Sequence, residues 1–202
     1  MPLWLAAASL VLASRSAVRR MLLETAGVPI EVCPADIDER GLEARAPLHA
    51  PVAIAALLAR EKASVIGQSR PGRLILGADQ TLSLDGQRFA KPADRAAARA
   101  QLRALSGRTH ELYSAIAFVQ DGAVLFEHVG VARLTMRAFS DRFLDAYLDA
   151  VGNAATASVG AYQLEGIGIQ LFERVDGDYF TVLGLPLTTA LDFLRRHGCL
   201  AQ

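Results

Sequence analysis

The stretch Leu74-Ile75-Leu76-Gly77-Ala78-Asp79-Gln80-Thr81-Leu82 constrains this chain more than any other. Its apolar start reads as a buried strand, Gly77 and Ala78 strip the backbone of bulk, and Asp79 sets a carboxylate where the strand is expected to stop. In open α/β sheets ligands bind in the crevice beyond the carboxyl ends of the strands, so Asp79 is expected to face such a crevice. Lys91, in Ala90-Lys91-Pro92, can return to it across a turn at Asp85-Gly86. An acid beside an ammonium suits a metal-bound phosphate, and the same residues equally suit a plain strand end followed by a helix start.

No Pro/Gly/Ser-rich linker, charge run or low-complexity tract divides the 202 residues, so one domain spanning 1–202 is expected. Hydrophobic residues at 52% and charged ones at 21% fit a soluble globular protein with a real core. Lys plus Arg and Asp plus Glu balance at 21 each, which argues against bulk attraction to nucleic acid or to a membrane and leaves anion binding to local clusters. The apolar run Pro2–Ser14 has no basic residue ahead of it and is too short to span a bilayer; it reads as a buried first strand. Cys33 and Cys199 lie far apart without metal-ligand spacing, as two reduced thiols of a cytoplasmic protein would.

In chain order, a strand over Ser9–Ala13 breaks into Ser14-Arg15-Ser16-Ala17-Val18-Arg19-Arg20, and a helix capped by Ser16 runs on to Gly27. A strand turning into a helix start with hydroxyls and arginines offers free backbone N–H groups and fixed positive charge, which can hold a phosphate; an ordinary capped helix looks the same. Ile30–Val32 is a second strand. Asp36-Ile37-Asp38-Glu39 is an acidic loop that suits a metal or plain solvent. Val52–Ile66 is a helix carrying Lys62, and Ala93–Leu105 is another. His110–Val119 and Val124–Thr135 form a hairpin, in which His110 has no evident partner. Phe139–Ala150 is an amphipathic helix, Gly152–Gly160 a flexible loop, Ile169–Val175 a last strand, and Gly184-Leu185-Pro186 opens a final helix to Arg196. The mixture points to an α/β fold with a mixed sheet.

Taken together, Leu12-Ala13-Ser14-x-Ser16 with Arg19, then Asp38-Glu39, Lys62-Ala63, Gly77-Ala78-Asp79, Lys91-Pro92, Leu105-Ser106-Gly107-x-x-His110, Gly160-Ala161-Tyr162 and Gly184-Leu185-Pro186 resemble, in order and spacing, the Maf family of nucleoside triphosphate pyrophosphatases. The resemblance covers nearly the whole chain. It implies an elongated mixed β-sheet with flanking helices and a central nucleotide cleft, similar to the inosine triphosphatase type, and commonly a homodimer. It implies hydrolysis of a nucleoside triphosphate to monophosphate and pyrophosphate with a divalent cation such as Mg2+, Mn2+ or Co2+. It further implies that Ser14, Ser16 and Arg19 cradle phosphates, that Lys62 and Lys91 neutralise the triphosphate, and that Asp79 with Glu39 holds the metal, Asp79 also serving as the catalytic acid/base.

Three details resemble the 7-methyl-GTP branch of the family more than the dTTP/UTP branch. Ser16-Ala17-Val18-Arg19-Arg20 has the spacing of Ser-Pro-Trp-Arg-Arg, Gln80 follows Asp79 where the pyrimidine branch usually has Thr, and Glu165 stands where that branch usually has Gln. An ionised Glu165 can accept both donors of a guanine edge, where Gln would present one donor the wrong way. Binding a metal or capping the turn at Gly166 would explain Glu165 as well. The sequence departs from both branches at Gly152-Asn153-Ala154-Ala155-Thr156-Ala157-Ser158-Val159-Gly160, which lacks the acids usual there and carries one extra residue. Three functions fit: a pyrophosphatase, a triphosphatase releasing orthophosphate, and a non-catalytic nucleotide sensor acting on septum formation and cell division. Retention of Asp79 with Lys62 and Lys91 favours an enzyme, since a sensor has no use for a water-orienting carboxylate.

Overall fold

The computed structural model describes residues 2–46 and 50–202. Its frame is a seven-stranded mixed sheet in the order β2-β1-β3-β5-β6-β7, with β4 paired to β3 off that path. The strands are β1 (Leu10–Leu12), β2 (Ile30–Val32), β3 (Ile75–Leu84), β4 (Gln87–Phe89), β5 (Thr109–Gln120), β6 (Ala123–Met136) and β7 (Phe172–Asp176). β1 runs parallel to β2 and β3, and every other pairing is antiparallel. The 14 residues of β6 span about 45 Å at the usual rise per residue, so the sheet is elongated.

The helices are α1 (Ala17–Thr25), α2 (Glu39–Arg45), α3 (Pro51–Gln68), α4 (Arg95–Leu105), α5 (Asp141–Val151), α6 (Tyr179–Val182) and α7 (Leu187–Arg196). One face of the long strands carries two separate hydrophobic cores. Leu76, Ala78, Ile116 and Phe118 pack with Leu22 and Leu23 of α1 and Ala190 and Leu194 of α7. Further along the same strands, Leu82, Leu84, Leu112 and Leu134 pack with Leu102 of α4 and Leu144 of α5. Between the cores lies a transverse row of small and polar residues, Gln80 paired with Ser114 and Ser114 with Gly130. The opposite face is covered by α3, whose Ala55 and Ala59 meet Ala115 and Ala117.

Several sequence expectations are corrected here. β3 does not stop at Asp79; it runs on to Leu84. Asp36–Glu39 is not simply a loop, because Asp38 caps α2 by accepting a hydrogen bond from the Gly41 N–H at 2.9 Å. Of the apolar start only Leu10–Leu12 is strand; Leu3 and Leu5 are exposed and Trp4 makes an isolated bridge to Leu200. Gly152–Gly160 folds into 3-10 turns, and so does Ile167–Leu171, which shortens the last strand to Phe172–Asp176. Long-range anchors hold this region: Gln101 Oε1 accepts from the Gly160 N–H, and the Tyr147 hydroxyl donates to the Ala161 carbonyl.

Candidate active site

β3 is paired along one edge with β5 from Ile75 to Ser83. On the other edge β1 covers only Ile75 and Leu76, and β4 only Leu82 to Leu84. The five residues from Gly77 to Thr81 therefore face a gap in the sheet. β1 leaves the ladder at Leu12 and carries Ser14 to Arg19 along one bank of the gap. β4 runs back toward it from the turn at Asp85-Gly86 and delivers Ala90-Lys91 on the other bank. A crevice thus forms beyond the carboxyl end of β1, with Asp79 on its floor, although β3 itself does not end there.

Gly77 fixes how α3 lies over this floor. A methyl group on Gly77 would sit 2.0 Å from the Ala59 carbonyl oxygen and 2.9 Å from the Ala63 Cβ, so only glycine admits the helix this close. Alternation along β3 then points Ile75, Gly77, Asp79 and Thr81 at α3. Ile75 packs on Ala63 and Ile66, and Thr81 Oγ1 donates to the Pro51 carbonyl at 3.0 Å. Between those contacts Lys62 reaches down so that its Nζ lies 2.6 Å from Asp79 Oδ1 and 2.7 Å from Glu39 Oε1. Glu39 opens α2, and α2 is tied to the β4 bank by Glu43 accepting from Arg88 at 2.5 Å. Asp79 is 8% exposed, whereas Glu39 is half-exposed. Burial holds the Asp79 carboxyl above the usual carboxylate range; Lys62 and Arg19 pull it down, and Glu39 pushes it up.

Where β1 peels away, the next carbonyl that would have paired with it belongs to Ala78. Arg19 takes it, donating from Nη1 to the Ala78 carbonyl at 2.8 Å and to Ser14 Oγ at 3.1 Å, while Nε donates to the Gly184 carbonyl at 2.8 Å. Three donors are thereby committed, and the two N–H groups of Nη2 remain for a ligand. Burial lowers the Arg19 pKa, opposed by Asp79 and Glu39, and the group stays charged. Ser16 caps α1, its Oγ accepting from the Arg19 N–H at 3.3 Å, which leaves the Ala17 and Val18 N–H groups without an intrahelical acceptor at the helix start. Ser14 is buried and its Oγ accepts from the Ser16 N–H as well as from Arg19; it shapes the helix start from beneath.

The structure thus brings together Asp79, Lys62, Glu39, Arg19, Ser14 and Ser16. It does not bring Lys91 or Glu165 into contact with them: both are exposed, and neither has a hydrogen bond or ion pair among the described residues. Lys91 stands on the bank opposite Arg19, and Glu165 on a turn beyond Tyr162. Two polar groups that the sequence names without partners, Gln80 and His110, find them in the fold. Gln80 Nε2 lies within 3.2 Å of Ser114 Oγ and of the Thr181 and Val182 carbonyls, which seats the side chain in the row between the two cores. His110 is buried with Nε2 2.8 Å from the Tyr162 hydroxyl and Nδ1 unpartnered, and burial pulls its pKa down to about 4. A capping Asp at Asp38 followed by Glu39 was the available signal for α2; nothing local signals the other two.

Two carboxylates converging on one point form an oxygen donor set that suits a hard divalent cation. Among the described residues no group of three His, Cys, Asp or Glu converges, so the remaining ligands of such a cation must come from phosphate oxygens and water. That division suits Mg2+, which keeps several waters and is commonly bound by one or two carboxylates plus substrate phosphates.

Comparison with known proteins gives the family of this chain. The family model described as Maf-like protein matches residues 9–197. A protein of Rhodopseudomonas palustris named nucleoside triphosphate pyrophosphatase is 55% identical over 201 residues, covering 100% of each chain. One of Mesorhizobium japonicum named 7-methyl-GTP pyrophosphatase is 52% identical over 195 residues, covering 95% of this chain and 97% of its own. Among solved structures, a HAM1 protein from Coxiella burnetii shares 21% identity over 63% of this chain and 72% of its own, with a TM-score of 0.41. With the family model spanning nearly the whole sequence and full-length relatives above 50% identity, the chain belongs to the Maf family.

Proposed function

We propose that this protein is a nucleoside triphosphate pyrophosphatase that cleaves its substrate to the monophosphate and pyrophosphate in the gap between β1 and β4. The observation that carries the reading is the cluster of Asp79, Lys62 and Glu39 on the crevice floor beneath Arg19 and the N-terminus of α1. The names borne by its relatives in Rhodopseudomonas and Mesorhizobium support it. Arg19 Nη2 and the first-turn N–H groups of α1 hold phosphate oxygens, with Ser16 and Ser14 keeping that helix start in shape. Lys62 and Lys91 offset the triphosphate charge from opposite sides. Asp79 orients the attacking water and accepts its proton, a role helped by burial holding its pKa up. Asp79 and Glu39 would hold Mg2+, Mn2+ or Co2+, which when bound neutralises phosphate charge and polarises the scissile anhydride. Such a site works through positioning and electrostatics, since displacement at phosphorus needs little covalent help.

For the base, 7-methyl-GTP is the favoured substrate because Glu165 is an acceptor-only carboxylate; a dTTP/UTP preference is the alternative. The chain acts in the cytoplasm as a homodimer, a house-cleaning enzyme. No helix of the described residues is long and apolar enough to cross a membrane. The deciding experiment incubates purified protein and a divalent metal with a panel of nucleoside triphosphates and identifies products. Monophosphate plus pyrophosphate is expected; diphosphate plus orthophosphate would refute the reading, and binding without turnover would favour a nucleotide sensor. Light scattering tests the dimer.

A further inference from the structure

The Lys62 ammonium sits where a cation shared by Asp79 and Glu39 would have to be. Its Nζ is 2.6 Å from Asp79 Oδ1 and 2.7 Å from Glu39 Oε1, so it fills the space between the two oxygens. A divalent cation coordinated at about 2.1 Å by both oxygens needs that same volume. Its two positive charges would also repel an ammonium only a few ångströms away, beside a buried Asp79 where screening by water is weakened. The fold fixes the backbone from which Lys62 reaches this point, because its helix is locked to β3 at Gly77, and Asp79 is buried beneath it. Departure of Lys62 without a replacement would leave Asp79 as an unpaired buried charge, an expensive state. Both obstacles vanish if the ammonium moves onto a phosphate oxygen as the cation moves onto the carboxylates.

We propose that Lys62 is a placeholder for the metal: it blocks the Asp79–Glu39 site until a triphosphate draws its ammonium away, so cation and nucleotide bind as a coupled pair. The inference rests on the metal reading of Asp79 and Glu39 given above. Its consequence is selective for polyphosphates. A nucleoside or a monophosphate at the crevice offers too little negative charge at Lys62 to release the site, so the carboxylates remain blocked until a complete substrate is present. Because coupling is reciprocal, the metal must raise nucleotide affinity by the same factor that the nucleotide raises metal affinity.

The test measures binding rather than turnover. Mn2+ is titrated into the full-length protein with detection by electron paramagnetic resonance, alone and with a saturating α,β-methylene analogue of 7-methyl-GTP that cannot be cleaved. Wild type is expected to bind Mn2+ at least tenfold more tightly with the analogue than without it, after correction for Mn2+ held by free analogue. Lys62→Met is expected to bind Mn2+ alone at least tenfold more tightly than wild type. Lys62→Gln, which keeps a hydrogen-bond donor toward Asp79, serves if the Met variant loses its fold by circular dichroism. Arg19→Gln removes one positive charge near Asp79 without vacating the space between the carboxylates, and its gain in Mn2+ affinity is expected to be several-fold smaller. Equal gains in the Lys62 and Arg19 variants would reduce the effect to general electrostatics and overturn the proposal, as would no gain at Lys62. Mn2+ that fails to bind any of these proteins, even with the analogue, would overturn the metal reading beneath it, a result distinct from the other two.

Discussion

Gly77→Ala is the substitution that asks most of this structure, because it changes one methyl group and bears on both fold and site. The added Cβ would lie 2.0 Å from the Ala59 carbonyl oxygen and 2.8 Å from the Ala63 amide nitrogen, and real contacts of a Cβ essentially never fall below 3.0 Å. Both obstacles are backbone, so no rotamer change relieves them; α3 must back away from β3 by about 1 Å. Forcing a helix off a packed sheet costs roughly 1–3 kcal/mol. For a chain of this size a loss of about 2 kcal/mol lowers Tm by about 4–8 °C. Lys62 sits between Ala59 and Ala63 on the displaced helix, so its contacts with Asp79 and Glu39 lengthen together. A misplacement of about 1 Å in such a constellation can cost roughly 100-fold in rate. Calorimetry and kcat/KM for the best triphosphate substrate read out the two effects. A Gly77→Ala protein with unchanged Tm and unchanged turnover would refute the claim that glycine sets the height of α3 over the floor.

Asp79→Asn is nearly isosteric and is expected to keep its fold and lose at least about 100-fold in kcat/KM, as loss of a general base typically does; near-normal turnover would remove Asp79 from the mechanism. His110 has its pKa lowered from 6.5 to about 4 by burial, so the unfolded chain takes up a proton before the folded one does. Stability is therefore fully present above pH 6.5 and declines as pH falls toward 4, by on the order of 3 kcal/mol from this group; in His110→Gln, which cannot titrate, the Tm-against-pH profile is expected to be flatter over that window, and a parallel profile would contradict the assignment. Glu165→Gln is expected to narrow the kcat/KM gap between 7-methyl-GTP and dTTP or UTP; equal changes on all substrates would show that Glu165 does not read the base.

The parts of this fold legible in the sequence are those with local causes. Ser16 caps α1 as a hydroxyl before a helical pattern should, Gly77 and Ala78 mark the bare stretch of β3, and Asp85-Gly86 turns β3 into β4. What was illegible is set by distant partners. Asp79 was expected at the end of a strand, yet the crevice arises because β1 and β4 cover different ends of one edge of β3, which no property of residues 74–84 can announce. The small polar run from Gly152 to Gly160 lacks hydrophobic periodicity, and its order comes from Gln101, Tyr147 and a buried neighbour at His110. Lys91 and Glu165 illustrate the opposite case. Motif order picks them out, and the fold leaves both exposed, without a hydrogen bond or ion pair among the described residues.

The position of the crevice follows from how the long strands divide their hydrophobic load. A single continuous core along β3, β5 and β6 would be the simpler way to bury that face, yet the row Gln80, Ser114 and Gly130 interrupts it. Ser114 Oγ donates to the Thr181 carbonyl at 2.7 Å, and Gln80 Nε2 points at the same carbonyl, so α6 is seated on the row by its backbone. A methyl group on Gly130 would lie 2.7 Å from Thr181 Oγ1, so glycine is required for α6 to approach. Seating α6 there delivers the Gly184 carbonyl to Arg19 Nε, and Arg19 in turn closes the ladder where β1 leaves it. The row of polar residues between the cores and the phosphate-facing arginine are therefore one connected hydrogen-bonded frame. A buried polar row costs stability relative to an apolar one unless each group is satisfied. Here the Gln80 and Ser114 donors have their acceptors, and what the frame fixes in return is the angle at which Arg19 and the start of α1 overlook Asp79.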